Sequence, residues 1–206
     1  MVSVGTGSFF IAVIWFVTNL KVSHSKDKRS ASYFCIEPNK YTMKVALIAN
    51  ISINGRILVS DNPAHQLPQE ALAFYLEMAH QVGNLVIGRQ TFQNFQNFPQ
   101  EMKDLFEGIE IIVLSNTTQV IEGYVGVDSP EQAIAYLAQK GIKEIAIGGG
   151  TGTFNAFITK DLVTDLYLNV SPIITGEGEF LGRNHPFHTA FEIITHKEKQ
   201  GLLQLH

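Results

Sequence analysis

One stretch limits what this chain can fold into more than any other: Lys143-Glu-Ile-Ala-Ile-Gly-Gly-Gly-Thr-Gly-Thr-Phe154. The apolar run from Ile145 to Ile147 ends in three glycines, and after one more glycine a helical pattern begins at about Thr153. That order reads as a buried strand, a tight turn and a helix N-terminus. Glycines let the backbone approach a ligand closely, and the free N–H groups of a helix start favour anions, so a phosphate-bearing cofactor suits the turn. A crowded strand-to-helix turn that binds nothing would use the same glycines.

The rest of the chain from Lys44 repeats this alternation. Val45 to Ile51 reads as a buried strand, followed by the turn signal Asn54-Gly55. Leu67-Pro68 opens a helix, with Pro at its first position and Ala71, Phe74, Tyr75, Met78, Ala79 and Val82 as its buried stripe. Asn84 to Ile87 is a short strand, leading into Gly88-Arg89-Gln90-Thr91 and a short helix. A loop from about Gln93 to Gly108 precedes the strand Ile109 to Leu114. Ser129-Pro130-Glu131-Gln132 is a capping box for a helix that stops at Gly141. Beyond the glycine turn, a helix from about Thr153 to Lys160, a strand from Leu162 to Val170 and a turn at Gly176-Glu-Gly178 are expected. Phe187 to His196 and Gly201 to Leu205 read as a closing antiparallel pair. The pattern predicts an α/β fold with a mainly parallel central sheet, helices on both faces and an antiparallel C-terminal pair.

Composition removes several classes. Net charge is −4 with no basic run, which leaves no electrostatic footprint for nucleic acid. The single cysteine, Cys35, cannot build a disulfide framework or a thiolate metal cluster, and the histidines show no metal-ligand spacing, so no metal is expected. Residues 1–42 differ from the remainder and are expected to be an extension to a working domain of residues 43–206. Phe9 to Val17 is a continuous apolar run, too short to span a bilayer alone. Met43 directly before the first strand suggests a cytoplasmic protein starting there; a membrane anchor over residues 1–20, followed by Lys21, Lys26, Lys28 and Arg29, is the alternative.

The motifs narrow the chemistry. Gly148 and Gly150 fit the first two positions of the dinucleotide fingerprint, but Thr153 occupies the third, and neither a P-loop nor a Gly-x-Ser-x-Gly elbow is present. What remains is a set of strand ends, where open α/β sheets bind ligands. Gly88-Arg89-Gln90-Thr91, Ser115-Asn116 and Gly148-Gly149-Gly150 are such ends, with a guanidinium fork for phosphate and hydroxyls beside it. Each also has a plainer reading, as a solvated arginine, a helix cap or a turn start.

In order and spacing, several pieces together resemble the dihydrofolate-reductase-like fold, and most closely the reductase domain of the bifunctional riboflavin-biosynthesis deaminase/reductase. They are Val45-Ala-Leu-Ile-Ala-Asn-Ile-Ser-Ile-Asn-Gly55, Val86-Ile-Gly-Arg-Gln-Thr91, Ile112-Val-Leu-Ser115, Ile147-Gly-Gly-Gly150 and Leu166-Tyr-Leu-Asn-Val-Ser-Pro-Ile-Ile-Thr-Gly-Glu-Gly178. The resemblance implies an NADPH-dependent reductase of a pyrimidine- or pteridine-like heterocycle, paired into a homodimer. It implies that Arg89, Thr91 and Ser115 hold the adenosine phosphate end, that Gly148, Gly149, Gly150 and Thr151 surround the pyrophosphate, and that the Gly148–Gly149 bond is cis. His65-Gln-Leu-Pro-Gln-Glu70 is similar to the folate-site segment of dihydrofolate reductases, which makes Glu70 the candidate proton donor and His65, Asn54 and Phe74 candidate substrate contacts. The arginine that would hold a folate tail is replaced near Ile109, and Ser52-Ile53-Asn54-Gly55 stands where the riboflavin enzymes have Ser-x-Asp-Gly. A true dihydrofolate reductase and a nucleotide-binding module without turnover are the alternatives.

Overall fold

The apolar runs become strands of one sheet. A computed structural model describes residues 43–58, 67–116, 123–182 and 188–206. In chain order the elements are β1 (Lys44–Ser52), α1 (Gln69–Val82), β2 (Asn84–Gly88), α2 (Arg89–Gln96), α3 (Gln100–Asp104), β3 (Glu110–Leu114), β4 (Val125–Val127), α4 (Pro130–Gln139), β5 (Glu144–Gly149), α5 (Thr151–Ile158), β6 (Asp165–Ser171), β7 (His196–Lys199) and β8 (Leu202–Leu205). The strands form one sheet in the order β4-β3-β2-β5-β1-β6-β8-β7. All pairs are parallel except β6–β8 and β8–β7.

Two-residue periodicity sorts the strand side chains onto two buried faces. Val45, Leu47, Ala49, Val86, Ile112, Ile145 and Ile147 join Ala133 and Leu137 of α4 and Phe154 and Phe157 of α5. Ala46, Ile48, Leu85, Ile87, Val113 and Ala146 join Met78 and Ala79 of α1 and Phe92 and Phe95 of α2. Both faces are therefore covered, as near-continuous apolar strands require. Asn84 is wholly buried at the start of β2, and its amide bridges to β5, donating to Glu144 O at 2.8 Å and accepting from Ala146 N at 3.3 Å.

Several local expectations are corrected. Pro68 is the cap before α1, with φ −57° and ψ 150°, so the helix starts one residue later. Within the anticipated loop from Gln93, α2 runs on to Gln96 and α3 forms, because Phe92 and Phe95 bury against the sheet. The short strand β4 carries little apolar signal of its own and exists by pairing with β3. α5 begins at Thr151, two residues early, since Thr153 N and Phe154 N both donate to Gly150 O. β6 starts at Asp165, later than expected; the residues before it hold β1 instead, through Thr164 N to Val45 O and Val45 N to Thr164 Oγ1. β7 spans only His196–Lys199; residues 188–195 form no strand, and 183–187 lie outside the described residues. Ser129 caps α4 as expected, accepting from Gln132 N at 3.4 Å, while the Gln132 side chain reaches Asp128 N rather than the cap itself. Among the described residues no helix is long and apolar enough to cross a membrane; residues 1–42 lie outside them.

Candidate active site at the strand ends

Parallel register carries three strand ends to one edge. Gly88 pairs with Leu114, and Ile87 pairs with Gly149, so β3, β2 and β5 finish side by side. Ser115, Arg89 and Gly150 are the next residues of those three strands, which brings the expected phosphate contacts together. Two helices start from this edge, α2 after Gly88 and α5 after Gly150, and neither has a side-chain cap. The helix dipoles add positive potential at the same place.

The glycines of β5 serve different ends. A Cβ on Gly148 would collide with the Tyr75 hydroxyl and with Leu85, so this residue is small because α1 packs down on it. Gly149 and Gly150 have φ of 143° and 64°, values that side chains rarely adopt, and their peptides make the turn. The Gly148–Gly149 peptide is trans, against expectation; the positive φ values at Gly149 and Gly150 reverse the chain without a cis bond. A Cβ on Gly150 would stand 3.1 Å from Thr91 Oγ1, which places the Thr91 hydroxyl against the turn. Thr153, buried at the start of α5, presses on the other helix: its Oγ1 would lie 2.6 Å from a Cβ on Gly88. These contacts leave a cradle of backbone between Thr91, Gly149, Gly150 and Thr151, and its donor set fits a phosphate group.

The remaining candidates occupy the same edge or its approach. α1 runs back against the strands, with Tyr75 over Gly148 near the end of β5, so its first turn, with half-buried Glu70, lies toward the carboxyl edge of the sheet. Phe74 is one turn further, its ring 6.3 Å from that of Tyr167 on β6. Asn54 is exposed and braces two loops: its Oδ1 accepts from Ser52 Oγ at 2.7 Å and Thr175 N at 3.3 Å, and its Nδ2 donates to Thr175 O at 2.9 Å. Next to it, Arg56 stacks over Phe180 with its Cζ 3.9 Å from the ring centroid and donates to Gly178 O at 2.7 Å. His65 lies outside the described residues.

Burial against Gly148 pushes the Tyr75 phenol upward. The other perturbed groups lie away from the strand ends. At the amino edge of the sheet, Lys44 Nζ bonds the Tyr167 hydroxyl at 3.1 Å and Glu144 at 2.9 Å, and His206 Nε2 meets Asp165 at 3.0 Å. Burial alone would raise the Asp165 carboxyl, but His206, Thr164 and Lys44 outweigh it and hold it below the usual range. An apolar cavity of about 120 Å³ beside Ile158, Val163, Leu181 and Phe191 opens on the α5 side of the sheet, away from these strand ends. Among the described residues no cluster of His, Cys, Asp and Glu could hold a metal ion. Sequence placed Tyr75 in the stripe of α1, Thr153 at the third fingerprint position and Asn169 within a family piece, but gave none of them a site role; what each touches across the fold shows only in the structure.

No curated protein matches the sequence. Solved structures do. A pyrimidine reductase-like protein from Corynebacterium diphtheriae superposes with a TM-score of 0.61 at 16% identity, over 79% of this chain and 90% of that one. A putative riboflavin biosynthesis protein from Shewanella sp. PV-4 gives 0.57 at 24% identity, over 79% and 97%. The Thermotoga maritima diaminohydroxyphosphoribosylaminopyrimidine deaminase/5-amino-6-(5-phosphoribosylamino)uracil reductase gives 0.62 at 14% identity, with 79% of this chain matching 55% of that protein. At these identities the likeness is one of fold, the dihydrofolate-reductase-like sheet expected above. The family model described as the RibD C-terminal domain matches residues 43–200, and by that match the chain belongs to the RibD C-terminal domain family.

Proposed function

We propose that this chain is an NADPH-dependent reductase of a pyrimidine-like heterocycle, of the kind that reduces 5-amino-6-(5-phosphoribosylamino)uracil in the relative from Thermotoga maritima. One observation carries the reading: two helix starts without side-chain caps flank a Gly149–Gly150 turn at one sheet edge, with Thr91 packed on the turn. That is a diphosphate cradle by its chemistry, a set of backbone donors in the field of two helix dipoles. Thr91, Gly149, Gly150 and Thr151 would hold the pyrophosphate, and Arg89 with Ser115 the phosphate on the adenosine ribose. When bound, the nicotinamide supplies a hydride. Glu70, half-buried in the first turn of α1, would give a proton to the nitrogen of the C=N bond that the hydride reduces, and Phe74 would wall the same space.

Arg89 provides the test. A guanidinium on a phosphate is a charge-assisted contact worth ~1.5–3 kcal/mol. Arg89→Ala should therefore raise the NADPH dissociation constant roughly ten- to a hundredfold and leave that of NADH nearly unchanged. Fluorescence titration with both cofactors reads this directly. Equal losses for the two would remove the phosphate assignment, and no NADPH binding by the parent chain would remove the reductase reading.

A further inference from the structure

The cavity on the α5 side of the sheet has no part in the reading above. It holds about 120 Å³ and its walls are apolar: Ile158 ends α5, Leu166 lies on β6, and Val163, Leu181 and Phe191 complete them. α5 packs chiefly over β5 and β2, which leaves the start of β6 thinly covered. Close-packed interiors keep few voids larger than a water molecule, and an unfilled one forfeits contacts on every wall. An apolar cavity of ~150 Å³ stays free of water and takes a benzene-sized guest.

Water does not suit the space, because it needs several polar partners and the walls offer none. The polar side chains that line it are Asp161 and Thr189, bonded to each other: Thr189 Oγ1 donates to Asp161 Oδ1 at 3.0 Å. Asp161 is exposed, as is Phe191, so these residues mark the mouth. The other carboxylate oxygen, Asp161 Oδ2, makes no hydrogen bond or ion pair among the described residues. Lys160, next to it in sequence, is held by Glu131 at 2.6 Å. Asp161 also has φ 53°, a left-handed conformation that glycine adopts at less cost, so the turn itself does not call for a carboxylate.

We infer that this cavity binds a small organic ammonium ion: an apolar body of about one ring fills the space between Ile158, Leu166, Leu181 and Phe191, and the ammonium head donates to Asp161 Oδ2 at the mouth. An apolar lining with one polar group that fixes orientation is the usual make-up of a small-molecule site. An anion meets the carboxylate with like charge, and a long chain exceeds the volume. The site is separate from the cofactor cradle and does not rest on the reductase reading. The cradle lies at the first residue of α5 and the cavity at its last, roughly 10 Å apart at ~1.5 Å per residue.

The test is calorimetric titration of the full chain with benzylamine and with benzyl alcohol, its neutral counterpart of the same shape. The parent should bind one benzylamine and prefer it at least ~ten-fold, because a hydrogen bond to a charged group is the stronger kind. Asp161→Asn still accepts from Thr189 and suits the left-handed turn. It should remove the preference and leave the weaker benzyl alcohol binding and the melting temperature unchanged. Leu166→Phe, which fills the cavity, should abolish binding of both compounds. Should Leu166→Phe fail to fold, Leu181→Phe at a half-buried position carries the same expectation. No benzylamine binding by the parent, equal binding of the two compounds, or binding that survives both Asp161→Asn and the filled cavity overturns the inference. Sedimentation of the same samples decides the rival occupant, a second copy of the chain. Doubled mass that Phe191→Asp returns to a single chain, with no amine bound by the parent, gives the cavity to that copy and overturns the inference as well.

Discussion

Gly148 has no room for a side chain. The Tyr75 hydroxyl and Leu85 fill the space where a Cβ would project, and Leu85 is fully buried, so it cannot swing into solvent. Gly148→Ala should cost ~1–3 kcal/mol through overpacking, seen as a lower midpoint in urea. Gly148→Ala combined with Tyr75→Phe should recover part of the loss, because only the hydroxyl clash is relieved. At Glu70 the two roles left open by the sequence separate cleanly. An acid in the first turn of a helix is favoured by the dipole whether or not it transfers protons. Glu70→Gln keeps the shape and removes the titrating proton. As a proton donor its loss should lower turnover by roughly two orders of magnitude with NADPH affinity unchanged. A variant with a lower melting temperature and undiminished turnover would make Glu70 structural. What sequence patterns miss at single residues is contact. Tyr75 and Thr153 matter for what they press against on another element, at Gly148 and Gly88, and no spacing along the chain encodes that contact.

At the scale of elements, the carboxyl and amino edges of the sheet do different work. The carboxyl edge gathers helix starts and glycine turns; the amino edge gathers charges. There Lys44 of β1, Glu144 of β5 and Asp165 of β6 meet, and His206 ties the end of β8 to them while stacking on Tyr167 with centroids 4.1 Å apart. The Asp165 carboxyl is held below its ordinary value. Its contribution is therefore complete above the unfolded value of ~3.9 and is lost as pH falls through the lower folded value. Asp165→Asn should accordingly be less stable than the parent at neutral pH, with the gap closing on acidification below about pH 4. Urea midpoints measured across that range check it; a gap that stays constant would mean the carboxylate's charge contributes nothing. The strands and helices themselves were mostly legible. Period-two apolar runs and the Ser129 cap marked them, whereas β4 and the short β7 depend on a neighbouring strand for their existence.

For the whole molecule, the family match begins at residue 43, and every contact of the candidate site lies after it. We expect a chain of residues 43–206 to fold alone, to remain soluble and to bind NADPH as tightly as the full chain. Aggregation or loss of cofactor affinity on truncation would show that residues 1–42 belong to the working protein. The homodimer that accompanies the family resemblance should appear as twice the chain mass in sedimentation; a monomer at micromolar concentration would remove it.

Sequence by itself determined the fold class and the edge that carries the candidate site. Alternating apolar strands and helices admit a covered parallel sheet, and parallel strands must deliver their following loops to one edge, so Arg89, Ser115 and the glycine turn had to meet. It could not determine which glycine makes the turn and which faces a tyrosine, because both are conformational and steric demands on one letter. Tertiary structure decided that: Gly148 lies under α1, Gly149 and Gly150 turn the chain with trans peptides, and Asn54 braces loops. It alone set Asn50 beside Asn169, two residues separated by 119 positions and joined only by the register of β1 against β6. Local pattern specifies which face a residue occupies; register specifies its neighbour, and the chemistry of a site is a property of neighbours.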